Sequence, residues 1–158
     1  MAMQHNLSKA VQFDPMIPYT AAGITVISST GIDMSGFEGV QFVALLGNIT
    51  TANITNLHIE MSTALTGTYV DCLASAAFFA STQASSGPYL ISEIYRPIKR
   101  YVRAVVDRSA GGGVANSVIH GVWANRFRPS FLPVAESTET GVVIDYAITY
   151  SPTSGSAT

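Results

Sequence analysis

Three histidines, His5, His58 and His120, are the first residues to weigh for chemistry. None falls in a zinc-binding spacing such as H-E-x-x-H. His58 and Glu60 stand two apart, so on a strand they share one face. His120 on a neighbouring strand would complete a site of two histidines and a carboxylate. Alternation alone produces such pairs on any solvent-facing sheet, so half-buried polar residues are the preferred reading. No G-x-S-x-G nucleophile elbow and no Walker or dinucleotide fingerprint occurs. The glycines at 111–113 lack the following Lys-Ser/Thr of a phosphate cradle, and Glu136 and Glu139 lie in a polar linker without rigid support. The expectation is a chain that is not an enzyme, with no catalytic residue, no metal site and no cofactor.

The cations are the second candidates. Lys and Arg number eight, and Arg96, Lys99, Arg100 and Arg103 crowd into the stretch YRPIKRYVRAVVD at 95–107. A phosphate-binding role would need a cationic excess, whereas the net charge is −2 and the pI about 5.8. Nucleic acid is therefore not an expected partner. On a strand, Val102, Ala104 and Val106 face a core, with Arg100 at the strand entrance. Lys99, Tyr101, Arg103, Val105 and Asp107 form the other face. The structural reading pairs these cations with Glu93 or Glu60 across strands; the functional one makes them a docking edge for acidic groups on another protein.

A second basic and aromatic cluster is WANRFRPSFLP at 123–133. Trp123 and Phe127 read as the inward face of the last core strand. Phe131 and Leu132, between two prolines, read as an exposed anchor. The candidate subunit or capsid contacts are Arg96, Lys99, Arg103, Arg126, Arg128, Phe131 and Leu132.

Short β-branched runs separated by Gly, Ser, Thr and Pro must position these residues. Strands are expected at Gly23–Ser28, Val40–Leu46, Ile54–Met61, around Tyr69 and Val70, at Tyr89–Tyr95, Arg100–Asp107, Asn116–Phe127 and Val142–Tyr150. Val40–Leu46 is apolar on both faces, which predicts a central strand buried from both sides. Pro97 belongs at the bend between two strands, and Gly121 marks a bulge or a close approach. The fold class is all-β, an antiparallel β-sandwich with a jelly-roll-like arrangement or a small barrel as alternatives. The compact body is placed at 25–128, flanked by an N-terminal arm (1–24) and a C-terminal arm (129–158) with a possible added strand.

Only 11% of residues are charged, against about 25% in ordinary soluble domains. The shortfall predicts that other subunits cover part of the surface. No apolar run reaches the roughly 18 residues of a spanning helix, so no membrane partner is expected. The first residues, MAMQHNLSKAVQFDP, lack the pattern of a signal peptide. Cys72, the single cysteine, reads as a small buried or half-buried hydrophobe.

The V-x-F-x-A-L-x-G strand at 40–47, the Tyr69/Val70 strand after a glycine turn and the YRPxKRYVRxVV block at 95–106 together resemble small structural proteins of tailed bacteriophages and prophages. The resemblance covers residues 37–128. It implies a head decoration or cement-like protein on the outer surface of the virion capsid. Such a protein has the major capsid protein and itself as partners, commonly as a homotrimer. The alternative is a head-fibre, tail-associated or receptor- and glycan-binding virion module, which an exposed aromatic platform would favour.

Overall fold

The computed structural model describes residues 10–47, 54–80, 89–109 and 117–129. The strand expected at Val142–Tyr150 and the anchor Phe131 and Leu132 lie outside these residues. Among the described residues ten strands occur in chain order: β1 Val11–Ile17, β2 Ile27–Ser28, β3 Ile32–Asp33, β4 Phe37–Leu46, β5 Ile54–Ser62, β6 Val70–Asp71, β7 Ala77–Ala80, β8 Tyr89–Tyr95, β9 Tyr101–Asp107 and β10 Ile119–Pro129.

They form two antiparallel sheets. The first has the order β1-β10-β4-β8; in the second β9 and β5 are central, with β2 and β3 along the outer side of β9 and β6 and β7 along the outer side of β5. The pairings nest. β5 meets β6 and β7, β4 meets β8, β2 and β3 meet β9, and β1 meets β10. That is one long hairpin wrapped on itself, closed by the ladders β10–β4 and β9–β5. Such wrapping into two facing four-row sheets is the jelly roll, one way of protecting strand edges. No ladder joins the two sheets among the described residues, so the layout is a sandwich and not a closed barrel.

Two-residue alternation builds the core. Thr55, Leu57, Ile59 and Met61 of β5 and Val102, Ala104 and Val106 of β9 point inward, as their spacing predicts. They meet Val40, Phe42, Ala44 and Leu46 of β4 and Val122 and Ala124 of β10. The outer face of β4 is open: Val43 is half-buried and Leu45 exposed, so this strand is not buried from both sides.

Both outer rows of the second sheet are broken by a serine. The Ala104 N–H donates to Ser29 Oγ (3.0 Å), which separates β2 from β3. The Ile59 N–H donates to Ser75 Oγ (3.0 Å), which separates β6 from β7. A hydroxyl takes the place of a ladder carbonyl, leaving two-residue strands beside it in three of the four cases. Gly23–Ser28 shrinks to Ile27–Ser28 for a related reason, because Arg108 draws on the Thr25 carbonyl. Val11–Ile17, placed in an N-terminal arm by the sequence reading, is an edge strand on β10. Pro15 concealed it, since proline is tolerated in a strand at an edge.

Candidate functional site

The seven cations among the described residues divide into two groups. Arg103, Arg108 and Arg126 serve the fold. Arg103, on the outer face of β9, lies opposite Glu60 of β5 and donates from Nε to Glu60 Oε2 (2.6 Å). Its guanidinium also sits 4.3 Å from the Tyr69 ring centre. The cross-strand partner is thus Glu60; Glu93 lies on the other sheet and accepts from Gln41 Nε2 (3.0 Å).

Arg126 points into the sandwich. It makes a two-pronged pair with Asp14 of β1 (2.8 and 3.1 Å), donates to the Asp33 carbonyl of β3 (2.8 Å) and lies over the Phe37 ring. One side chain therefore ties the two sheets together. Arg108 is 2% exposed and donates to the carbonyls of Ala21 and Ser117 (2.8 and 2.9 Å), locking the β1–β2 connection to the start of β10. Burial lowers its pKa. Arg103 and Arg126 were expected as surface contacts and instead have internal partners. Arg108 went unremarked because nothing in one sequence distinguishes a buried arginine after a strand from an exposed one.

Arg96, Lys99, Arg100 and Arg128 gather at one end of the sandwich. Pro97 turns the chain between β8 and β9, and this bend, the β3–β4 turn and the end of β10 meet around Glu38. Arg128 Nη1 donates to Glu38 Oε2 (3.3 Å) and Tyr95 Oη (3.1 Å), Tyr95 donates to Glu38 (2.9 Å), and Arg96 reaches the other carboxylate oxygen (3.5 Å). The Tyr95 hydroxyl and then Arg128 hold the Glu38 carboxyl below its ordinary pKa. Arg100 grips Asp33 with two bonds (2.9 and 2.7 Å), chiefly lowering that carboxyl. Lys99 has no hydrogen bond or ion pair among the described residues.

Two carboxylates thus face four cations. A concavity of about 450 Å³ opens there, lined by Arg96, Lys99 and Arg100 with Met34, Phe37 and Ile98, and Ile98 is 86% exposed. Arg96 and Arg128 both adopt left-handed backbone angles (φ 53° and 50°), a conformation that costs a side-chain-bearing residue about 1–3 kcal/mol. Of the contact residues read from sequence, this end unites Arg96, Lys99 and Arg128.

No known family and no curated protein matches the sequence. The chain is similar to a number of solved structures, two of which follow. The crystal structure of the PBSX exported protein XepA matches with a TM-score of 0.51 and 20% identity over 93% of this chain and 47% of that one. The structure of infectious bursal disease virus Gx strain matches with a TM-score of 0.47 and 15% identity over 78% of this chain and 35% of that one. This chain spans about half the length of XepA, and at such identity the likeness concerns the fold alone.

The site of two histidines and a carboxylate, set aside on sequence, does not assemble. His58 and Glu60 share the outer face of β5, but His120 belongs to β10 in the other sheet. The third member is Asp71 of β6, opposite Glu60; ligand atoms of His58, Glu60 and Asp71 lie within 4.8 Å of one another. The chain already supplies cationic and hydrogen-bonding partners here. Arg103 holds Glu60, and His58 lies between Asn56 Oδ1 (2.8 Å) and Asp71 (3.5 Å). Asp71 escaped the sequence reading because it arrives on a two-residue strand.

Trp123 also departs from expectation. Val122 and Ala124 take the inward positions, while Trp123 faces outward and is 41% exposed. The register shift between Ile119 and Gly121 reverses the phase of β10. Gly121 is a close approach as well: a methyl there would lie 2.8 Å from the Trp123 ring.

Proposed function

We propose that this protein is a non-enzymatic structural component of a virion. It sits on the outer surface of a tailed-phage head and stabilises it, as decoration or cement proteins do, by bridging subunits of the major capsid protein. The supporting observation is the convergence of Arg96, Lys99 and Arg100 around an exposed Ile98, with Arg128 joined to the same end through Glu38 and Tyr95. Arginines that present planar donors beside an apolar anchor suit acidic, partly apolar protein surfaces. The chain's overall negative charge makes an extended polyanion a poor substitute. Jelly rolls are a common architecture of viral shells, and XepA, a PBSX exported protein, shares the fold. Self-association as a homotrimer belongs to the same reading and accords with the scarcity of charge.

Co-sedimentation with purified heads tests the proposal. The wild-type chain should pellet with heads at a fixed stoichiometry. The combined variant Arg96→Gln, Lys99→Gln, Arg128→Gln should remain folded and stay in the supernatant. A wild-type chain that never pellets overturns the capsid assignment; a triple variant that pellets equally overturns the docking end.

A further inference from the structure

We infer that the outer face of the sheet β1-β10-β4-β8 is a binding face for a neutral carbohydrate. The register builds it in rows. Phe13, Asn125, Gln41 and Glu93 lie side by side across the four strands, flanked by Val11, Phe127, Gly39 and Tyr95 on one side and by Pro15, Trp123, Val43 and Ile91 on the other. A polar row thus runs between two rows that contain aromatic rings.

The polar row is preorganised. Gln41 Nε2 donates to Glu93 Oε2 (3.0 Å), and Asn125 Nδ2 points at Gln41 Oε1 (3.4 Å). Asn125 Oδ1 is buried with no hydrogen-bond partner among the described residues, an acceptor that a hydroxyl would satisfy once the side chains covering it shift. Adjacent amide and carboxylate groups offer the paired donors and acceptors that vicinal hydroxyls require.

The aromatic rows supply the other half of sugar recognition. Trp123 rests against the backbone at Gly121 and keeps one face open to solvent. An aromatic face carries partial negative charge and attracts the polarised C–H bonds of a pyranose ring. Successive same-face positions on a strand are about 7 Å apart, so a sugar stacked on Trp123 brings its hydroxyls to Asn125 and Gln41. On the other flank, Val11, Phe13, Gln41, Asn125 and Phe127 enclose a concavity of about 230 Å³. That is below the ~300–1,000 Å³ of drug-sized pockets and suits a single ring.

Charge selects the ligand class. The three polar residues of this row, Asn125, Gln41 and Glu93, carry one carboxylate and no cation, so a phosphate or sulfate group is disfavoured. The arginines stand at the Tyr95 end of the neighbouring row. This inference does not rest on the capsid reading, because it concerns the sheet face and not the cationic end.

The full chain should be titrated with a panel of neutral sugars: glucose, galactose, mannose, N-acetylglucosamine and their short oligomers. Glucose 6-phosphate serves as the charged comparison. Trp123 emission and saturation-transfer NMR give the readouts. At least one neutral sugar should shift the emission saturably, with binding weakened ten-fold or more in Trp123→Ala and in Glu93→Gln. Glu93 is exposed, so the second variant retains its fold. No saturable response to any neutral sugar, unchanged affinity in both variants, or tighter binding of the phosphorylated sugar each overturns the assignment.

Discussion

At the scale of single residues, the arginines separate by what surrounds them. Asp14 is 2% exposed, and among the described residues Arg126 is its only ion-pair partner, donating to both carboxylate oxygens while Gln12 Nε2 adds a neutral bond to Oδ1 (3.2 Å). Removing one partner of such a pair leaves a buried charge uncompensated, at about 3–5 kcal/mol. Arg126→Ala should therefore lose roughly that much in urea unfolding, while Arg128→Ala, at an exposed site, should leave the urea midpoint nearly unchanged. Acid titration adds a second expectation. Asp33 is held below its ordinary 3.8 first by the Arg100 hydrogen bond. Asp107 is also lowered: burial opposes ionisation, but bonds from Ser109 and Asn56 and the charge of His58 outweigh it. A depressed carboxyl contributes stability above its unfolded pKa and loses it as pH falls through the folded value. With Glu38 lowered from 4.5 as well, the unfolding temperature should hold above about pH 5 and drop as pH falls below it, with Asp33→Asn losing part of that drop. The Arg103–Glu60 pair was legible because alternation fixed the face of each residue. Arg126 was not, because one extra residue near Gly121 reverses which side of β10 looks inward.

At the scale of elements, every long strand but β1 could be read, whereas of the short ones β2 and β6 were placed without their true bounds and β3 and β7 were not read. β4, β5, β8, β9 and β10 carry their own alternation, whereas β2, β3, β6 and β7 owe their lengths to partners distant in sequence. Ser29 shows the cause. Its hydroxyl receives the Ala104 N–H while its own N–H donates to the Ala104 carbonyl (2.9 Å), so one residue closes both bonds of a ladder rung. Ser29→Ala would leave a buried backbone N–H without a partner, a loss of about 1–3 kcal/mol. Equilibrium unfolding should show that loss with an unchanged denaturant slope, since the strands on either side keep their other pairings. Ser29→Thr, which retains the hydroxyl, should recover part of it.

At the scale of the whole molecule, the question is which surfaces an assembly covers. The cationic end adjoins the outer face of the first sheet at Tyr95, whereas Trp123 lies in the opposite flanking row, so docking on a shell through the cations leaves Trp123 facing outward. A self-associated form has the same choice, and Trp123, the chain's only tryptophan, reports it. If subunits met through the first sheet, the exposed ring would be desolvated and its emission would move to shorter wavelength as the oligomer forms. Contacts made elsewhere would leave the emission unchanged across the same concentrations. We expect the second outcome: sedimentation velocity should show the oligomer forming while Trp123 emission stays at its dilute value. Docking through Arg96, Lys99 and Arg128 should in addition weaken as salt rises from 0.05 to about 0.5 M, because the Debye length then falls well below 10 Å. Trp123 emission should not respond to that change. A blue shift that tracks oligomer formation would instead place the subunit contact on the sheet face and leave no open platform for a sugar.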